Sequence, residues 1–221
     1  MELTHLSGKN CLSTLNQEEK NELFNSSSSL RFEEGELVVK KGTPVHNLYF
    51  LKSGLVELSL KQDSKNQALN LLFQGEFIGI NCVYSGTSYR FSAKALTNCT
   101  IEIFSKDLFS KLLQTNKEFA MAFIKYISMV NENFLSWHMN LKEKNSAGAL
   151  AFLICEFEKN TGKSTFNIPL TRQDIARIIG FSKESVLKNL ADFRKEGIIE
   201  SNGKLFSIIN FARLQDIAQH G

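Results

Sequence analysis

Two short helices joined by a glycine turn, within residues 171–197, constrain the fold of this chain more than any other feature. Thr171 suits a helix N-cap, and Asp174 places a carboxylate in the first turn, where the helix N-terminus favours negative charge. Gly180 supplies the backbone freedom that a sharp turn requires, and Ser182 is a second N-cap. The pattern predicts a helix-turn-helix. Its buried faces are expected to be Ile175, Ala176, Ile178 and Ile179 on the first helix, and Val186, Leu187, Leu190 and Phe193 on the second.

The second helix is predicted to point Lys183, Glu184, Ser185, Lys188 and Asn189 outward. Lys183, Glu184 and Lys188 share one face at helical spacing. A lysine can donate to guanine O6 and N7, and a glutamate can accept from cytosine N4. These three residues are therefore our candidates for reading DNA bases. The alternative, an ordinary solvated helix pair, is weaker because the caps, the turn and the face all agree.

A hairpin is predicted directly after this second helix. The apolar runs Ile198–Ile199 and Leu205–Ile209 flank Asn202–Gly203, which is a strong hairpin signal. This hairpin would form a wing with Lys204 at its tip, placed to contact a phosphate. The other candidate contacts to the DNA backbone are Thr171, Arg172, Gln173, Ser182 and Ser185.

The N-terminal half has a different pattern. Short apolar runs separated by glycines predict an antiparallel β-sandwich or barrel across residues 30–104. The runs are Leu37–Val39, Leu48–Leu51, Leu55–Leu60, Ala68–Phe73, Phe77–Ile80 and Thr100–Phe104. Residues 1–29 are predicted to be a short helical lead that ends in a flexible run, Ser26–Ser29.

Residues 106–144 have a helical period with an apolar stripe about six turns long. The stripe is Phe119, Phe123, Ile127, Val130, Phe134, Trp137 and Leu141. Few charges surround it, so we expect it to pair with a second copy of the chain. Asn145–Gly148 is the predicted hinge, and an apolar helix is predicted over 149–160. The expected division is a sensor domain 1–116, a dimerisation helix with hinge 117–145, and a DNA-binding domain 146–221.

Length and composition set wider limits on the chain. Its 221 residues allow one large or two small domains, and a net charge of +3 does not by itself indicate nucleic acid. No apolar run is long enough for a transmembrane helix, and no basic, apolar signal sequence opens the chain. None of the four cysteines forms a C-x-x-C pair. We therefore expect no membrane association and a reducing, cytoplasmic setting with free thiols.

Several motifs resemble the CRP/FNR family of bacterial transcription regulators over nearly the whole chain. They are Gln74–Gly79, which reads QGEFIG; Leu170–Ala176, which reads LTRQDIA; and Gly180–Val186, which reads GFSKESV. The resemblance implies an α+β fold with a jelly-roll-like sensor domain, a long dimerisation helix and a winged helix-turn-helix. It also implies a homodimer on pseudo-palindromic double-stranded DNA, with RNA polymerase as a partner. Lys183, Glu184 and Lys188 match the family's base-reading positions, with lysines where arginine is common.

The effector is not identified by the resemblance. Members that bind cyclic AMP use a Gly-Glu pair and an Arg-Ser or Arg-Thr pair, whereas Ile80 follows Gly79 and Phe91 follows Arg90 here, with Ser92 one residue late. Gly79, Ile80, Arg90 and Ser92 are the candidate effector-pocket residues, yet cyclic AMP is disfavoured.

Metal-containing cofactors are also weakly supported. An iron–sulfur cluster is disfavoured because Cys11 is the only cysteine near the N-terminus. Cys82, Cys99 and Cys155 are interpreted as buried, inert thiols. Haem stays open, with His5, His46 and His138 as possible ligands, and no dedicated metal site is predicted. The cofactor is therefore unknown.

Two other functions are weighed against a DNA-binding regulator. A cupin-like metalloenzyme needs clustered histidines, and the predicted roll contains only His46. A ligand-binding interaction module that no longer binds DNA is disfavoured by the intact helix-turn-helix. The sequence therefore predicts a non-enzymatic, dimeric regulator with an unidentified effector.

Overall fold

The computed structural model describes residues 8–62 and 65–221, and the chain divides into two compact units. The first unit ends at Phe134 and the second begins at Leu135. The expected three-part division into residues 1–116, 117–145 and 146–221 remains a prediction.

The first unit holds two antiparallel sheets. Its elements are α1 Gly8–Leu12, α2 Gln17–Asn25, β1 Ser28–Phe32, β2 Leu37–Val39, β3 Asn47–Ser53, β4 Val56–Gln62, β5 Lys65–Leu72, β6 Phe77–Ile78, α3 Ile80–Val83, β7 Ser92–Ala95, β8 Cys99–Ser105 and α4 Lys106–Thr115. The strand orders are β1-β8-β3-β6 and β2-β7-β4-β5. Side chains of both sheets, such as Leu48 of β3 and Val56 of β4, belong to one buried core. This arrangement confirms the predicted antiparallel β-roll.

The serine run before the roll is ordered by specific contacts, so the prediction of a flexible Ser26–Ser29 is wrong. Ser26 caps α2, and the Ser27 hydroxyl donates to the carboxylate of Glu102. Ser28 and Ser29 begin β1 and pair with β8. The hydroxyls of Ser26 and Ser27 donate to the Leu23 and Phe24 carbonyls, and the backbone of Ser28 and Ser29 pairs with β8, which composition alone does not indicate.

The long helix α5, Lys117–Glu143, buries part of the stripe that was predicted to pair with a second copy. Phe119 and Phe123 pack on Phe109 within the first unit, with ring centroids 5.1 Å apart in both cases. Trp137 packs on Phe152 within the second unit at 5.5 Å. The predicted role of these three stripe residues is therefore corrected: their own chain covers them. The other members, Ile127, Val130, Phe134 and Leu141, are partly buried or, in the case of Phe134, 37% exposed.

The second unit contains the predicted winged helix-turn-helix. Its further elements are α6 Ser146–Thr161, β9 Thr165–Asn167, α7 Arg172–Ile179, α8 Lys183–Lys195, β10 Ile199–Asn202, β11 Leu205–Ile208 and α9 Phe211–His220. The strands form one sheet of order β10-β11-β9, so the wing has a third strand that the hairpin signal does not reveal. The predicted hinge Asn145–Gly148 is too long, because α6 already begins at Ser146 with Asn145 as its N-cap.

Candidate nucleic-acid interface

The helix-turn-helix is built by side-chain caps and one left-handed glycine. Thr171 accepts from the Asp174 backbone N–H at 3.1 Å, and Asp174 accepts from the Thr171 N–H at 3.2 Å, which completes a capping box. Burial acts to raise the pKa of Asp174, but hydrogen bonds from Thr171 and the nearby Arg177 outweigh it and lower the pKa. Gly180 ends α7 with a φ of 80°, where a side chain would be strained. These local contacts fix where α8 begins.

The exposed face of α8 carries the three predicted base-reading residues. Lys183, Glu184 and Lys188 are all exposed, while Val186 and Phe193 on the other side are buried. Ser182 caps the helix by accepting from the Ser185 N–H at 3.1 Å. The structure therefore presents two ammonium groups and one carboxylate to solvent on one helical surface, which suits hydrogen bonding to base edges.

Two residues of α8 differ from their predicted environments. Leu187 was assigned to the buried stripe but is 46% exposed. Asn189 was assigned to the outer face but is 8% exposed, and its amide donates to the hydroxyl of Ser146 at 3.0 Å. The buried face of α8 thus includes one polar group with a specific partner.

The wing ends in a tight turn with an exposed cation. Asn202 pairs with Leu205, so the turn is formed by Gly203 and Lys204. The Lys204 side chain is exposed, and the Lys204 carbonyl accepts from the Ile168 N–H at 2.8 Å. Lys204 is therefore free to point its ammonium toward an anion while its backbone is fixed to the unit.

Arg172 joins α7 to the wing. Its Nη2 donates to the Gly203 carbonyl at 2.8 Å, and its guanidinium carbon lies 5.0 Å from the centroid of the Phe206 ring. Burial, and then the charge of Arg194, lower the pKa of Arg172 from its usual value. Arg172 was predicted to contact the DNA backbone, but its guanidinium is already engaged in supporting the wing turn through Gly203 and Phe206. This supporting role is called a strut below. Thr171, Gln173 and Ser182 are exposed and Ser185 is half-buried.

The four candidate effector residues have unlike environments in the roll. Ile80 is 2% exposed within α3, whereas Arg90 is exposed on a loop. The Ser92 hydroxyl accepts from the Lys41 N–H at 3.0 Å. Gly79 is the left-handed cap of α3, with a φ of 69°. These four residues therefore provide neither an arginine for a phosphate nor an acceptor for ribose hydroxyls inside the roll.

Aromatic rings occupy the space beside Gly79. A Cβ atom on this glycine would lie 2.7 Å from Cζ of Phe91 and 2.8 Å from Cε1 of Tyr89. Tyr89 is 1% exposed, and its hydroxyl donates to the Asn47 carbonyl at 3.2 Å. Gly79 therefore serves close packing of rings, since no larger residue fits there without displacement.

The predicted cofactor ligands are scattered. His5 lies outside the described residues, His46 is exposed and His138 is half-buried on α5. Within residues 8–62 and 65–221, no group of three or more His, Cys, Asp or Glu side chains is placed to hold a metal ion.

The cysteines are mostly protected thiols. Cys11, Cys82 and Cys99 are buried, whereas Cys155 is only half-buried, which corrects the prediction for that residue. Burial raises the pKa of Cys11 to about 12, and burial with nearby carboxylates raises the pKa of Cys155 to about 12. At neutral pH, Cys11 and Cys155 therefore carry little reactive thiolate.

Comparison with known proteins matches both halves of the chain. Residues 29–116 match the cyclic nucleotide-binding domain model, and residues 148–217 match the Crp-like helix-turn-helix domain model. The chain is 28% identical over 194 residues to the anaerobic regulatory protein of Bacillus subtilis, covering 83% of this chain and 82% of that protein. It is 24% identical over 213 residues to the fumarate and nitrate reduction regulatory protein of Shigella dysenteriae, covering 94% and 85%. The solved structure of FixK2 from Bradyrhizobium japonicum has a similar fold, with a TM-score of 0.76 at 19% identity over 86% of this chain and 96% of that one.

The roll and the winged helix-turn-helix together define a DNA-binding transcription regulator rather than an enzyme. The chain belongs to the CRP/FNR family. A match to the cyclic nucleotide-binding domain model describes the roll's fold, and Ile80 and Phe91 still stand where cyclic AMP-binding members have other residues. Among the described residues, no helix is both long and apolar enough to cross a membrane.

Proposed function

We propose that the chain binds a pseudo-palindromic DNA site as a homodimer, each subunit placing α8 in the major groove of one half-site. The observation that carries this proposal is the exposed face of Lys183, Glu184 and Lys188 on a capped helix that is buried on its other side. Lysine and glutamate there would read guanine and cytosine edges respectively. Half-sites about one helical turn apart would match a two-fold protein.

Contacts to the DNA backbone would come from the edges of this face. Thr171 and Gln173 are exposed at the start of α7, and at the start of α8 Ser182 is exposed and Ser185 is half-buried. The N-terminus of a helix favours a phosphate. Lys204 at the wing tip would neutralise one more phosphate. Arg172, as a strut of the wing, would act mainly by holding Lys204 in place.

Selection of bound sequences from random double-stranded DNA tests this proposal. The wild-type protein should enrich a palindrome, and Glu184→Ala should lose discrimination at one position of each half-site by about 1–3 kcal/mol per contact. Glu196→Ala is the matched control, because it removes the same charge at the C-cap of α8. An unchanged sequence preference in Glu184→Ala, or no enrichment by the wild type, would contradict the proposal. The latter would favour an interaction module without DNA binding.

The second copy is proposed to pair through the exposed side of α5. Met121, Ile124, Leu135 and Met139 are 65%, 56%, 62% and 50% exposed. At about 100° per residue they fall within an arc of about 60°, roughly opposite the buried Phe119 and Trp137. A row of large apolar side chains this exposed is typical of an interface. The interface thus lies on a different side of the helix from the predicted stripe.

A charge placed on this row tests the dimer. Ile124→Glu with Leu135→Glu should give a monomer in sedimentation velocity and weaken binding to the palindrome by roughly 10²–10⁴-fold, the range in which a second linked contact contributes. Binding to an isolated half-site should change little. Ser136→Glu is the matched control, since Ser136 is an exposed neighbour of Leu135 that lies about 100° from it around the helix and outside the arc of the row. A dimer that survives the double substitution would refute this interface.

The effector is proposed to be something other than cyclic AMP, and it remains unidentified. Ile80 is apolar where a ribose acceptor is needed, Arg90 is exposed, and rings fill the space beside Gly79. A ligand would regulate DNA binding only through different affinities for the two states of the protein. Family membership supports a cytoplasmic location and RNA polymerase as a further partner.

A further inference from the structure

The buried side of α8 contains one polar side chain that the DNA contacts do not use. Asn189 is 8% exposed, and its amide donates to the Ser146 hydroxyl at 3.0 Å. Its neighbours on this side, Val186, Leu190 and Phe193, are apolar and buried. Apolar contacts have no preferred direction, whereas a hydrogen bond requires a particular distance and angle. Asn189 therefore supplies a directional side-chain contact among the apolar side chains on this side of α8.

Ser146 is the first residue of α6 and is itself firmly placed. Asn145 caps α6 by accepting from the N–H groups of Ala147 and Gly148 at 2.9 and 3.0 Å. Gly148 packs so closely on the backbone of Gly221 that a Cβ atom there would lie 2.5 Å from the Gly221 carbonyl oxygen. The hydroxyl that accepts from the Asn189 amide thus belongs to a capped and closely packed corner of the second unit.

This corner directly follows the long helix. Helix α5 ends at Glu143, and only Lys144 and Asn145 separate it from Ser146. The hydrogen bond therefore joins α8 to the first turn after α5, across 43 positions of sequence. Lys188 directly precedes Asn189 in α8. Any rotation of α8 that breaks the bond between Asn189 and Ser146 therefore also redirects the Lys188 side chain.

We propose that Asn189 is a positioning residue for DNA recognition: its bond to Ser146 sets the rotation of α8 about its own axis and makes the exposed face follow the first turn of α6. This inference rests on the proposed function, because it takes α8 as the recognition helix. Sliding or rotating α8 would leave a buried amide without a partner, which is strongly unfavourable. The pair thereby selects one orientation among several that apolar packing alone would allow.

Removing one or both partners separates positioning from stability. Ser146→Ala leaves the amide unpaired, so both the melting temperature and the discrimination between the selected site and a single-base variant should fall, the latter by roughly tenfold. The double variant Ser146→Ala/Asn189→Leu replaces both polar groups by apolar ones and should regain the melting temperature. Its discrimination should stay roughly tenfold reduced. Ser146→Thr keeps the hydroxyl and is the matched control, with both properties near wild type.

The outcomes that overturn the proposal are distinct. If the double variant keeps full discrimination between the two DNA sites, the pair only stabilises the fold. If Ser146→Ala changes neither the melting temperature nor the discrimination, the pair contributes to neither property. If the wild type selects no DNA sequence, the proposed function fails, and amide hydrogen exchange then decides on the pair. Faster exchange along α8 in the double variant than in Ser146→Thr would support positioning, and equal exchange would refute it. If Asn189→Leu prevents folding, discrimination by Ser146→Ala is compared with that by Ser146→Thr well below both melting temperatures. A roughly tenfold loss there supports positioning, and equal discrimination refutes it.

Discussion

The roll and the winged helix-turn-helix unit use their chemically distinctive residues in opposite ways. In the roll, Tyr89 is buried, and together with Phe91 it closes the space beside Gly79. In the DNA-binding unit, Lys183 and Lys188 are exposed on a helix whose caps are complete. These side chains of the roll pack against one another, whereas the exposed lysines of α8 are the ones proposed to contact DNA. A change in the roll should therefore act on stability, and a change on α8 on affinity.

Truncating Tyr89 should have the largest effect on stability. Tyr89→Ala removes a ring that is 1% exposed and its bond to the Asn47 carbonyl, so the free energy of unfolding should fall by about 3–5 kcal/mol. Lys188→Ala, measured beside it, should leave that free energy within about 0.5 kcal/mol and weaken binding to the selected DNA. Urea unfolding measures the free energy of unfolding, and fluorescence anisotropy measures the binding of DNA.

Measurements on Tyr89 variants can also contradict the assignment of the roll to packing. A Tyr89→Ala protein that stays as stable as the wild type would mean that the rings only loosely fill the roll. Stabilisation of that variant by cyclic AMP would mean that the rings occupy a nucleotide pocket. Tyr89→Phe keeps the ring and loses one hydrogen bond, so a loss of about 1 kcal/mol is expected as the intermediate case.

Sequence predicted the second unit more fully than the first because its determinants are local. Thr171, Gly180 and Ser182 mark the helix boundaries within a few residues of the groups they cap. Phe119, Phe123 and Trp137 of the predicted stripe are covered by their own chain, because periodicity shows which positions share a face and not what covers that face. Asn189 was missed for a related reason: its partner is distant in sequence, and an asparagine on a helix gives no sign of a buried acceptor.

Arg172 should have a smaller effect, and one that separates a strut from a phosphate contact. Loss of the carbonyl bond and ring contact in Arg172→Ala should weaken DNA binding by about 1–2 kcal/mol as the wing loosens. The dependence of affinity on salt should stay close to wild type. Lys204→Ala, the matched control, should lower the magnitude of the salt slope by about 0.9 per subunit, because it removes a phosphate contact.

Binding measured from low to moderate salt distinguishes the two roles. If Arg172→Ala changes the salt slope as much as Lys204→Ala, then Arg172 neutralises a phosphate, and the strut interpretation fails. Arg172→Lys keeps the charge without the planar fork. It should therefore behave like the alanine variant if the strut matters and like the wild type if only charge does.

The smallest expected effect on stability comes from Glu102, a charged residue of the roll whose charge acts within the fold and not on DNA. It is 6% exposed, and it accepts from the Ser27 hydroxyl and from Lys52 Nζ at 3.0 Å. Burial acts to raise the pKa of Glu102, but the bonds from Ser27 and Lys52 and the lysine's charge together lower it below its usual value of 4.5. A lowered folded-state pKa means that this stabilisation is present above the unfolded pKa and is lost as pH falls through the folded pKa.

Glu102→Gln keeps the side-chain shape and removes the charge, so it should lower the free energy of unfolding at pH 7 by at most about 1 kcal/mol, as for a pair in which Lys52 is half exposed. The difference from the wild type should shrink as the pH falls below about 4.5, because the wild-type carboxylate is then protonated too. Urea unfolding from pH 7 to pH 3 measures this, with Ser27→Ala as the partial case. A difference that stays constant down to pH 3 would mean that the charge of Glu102 does not stabilise the roll. Binding of DNA at pH 7 should be the same for both proteins, because this charge, unlike those of α8, is directed at the fold.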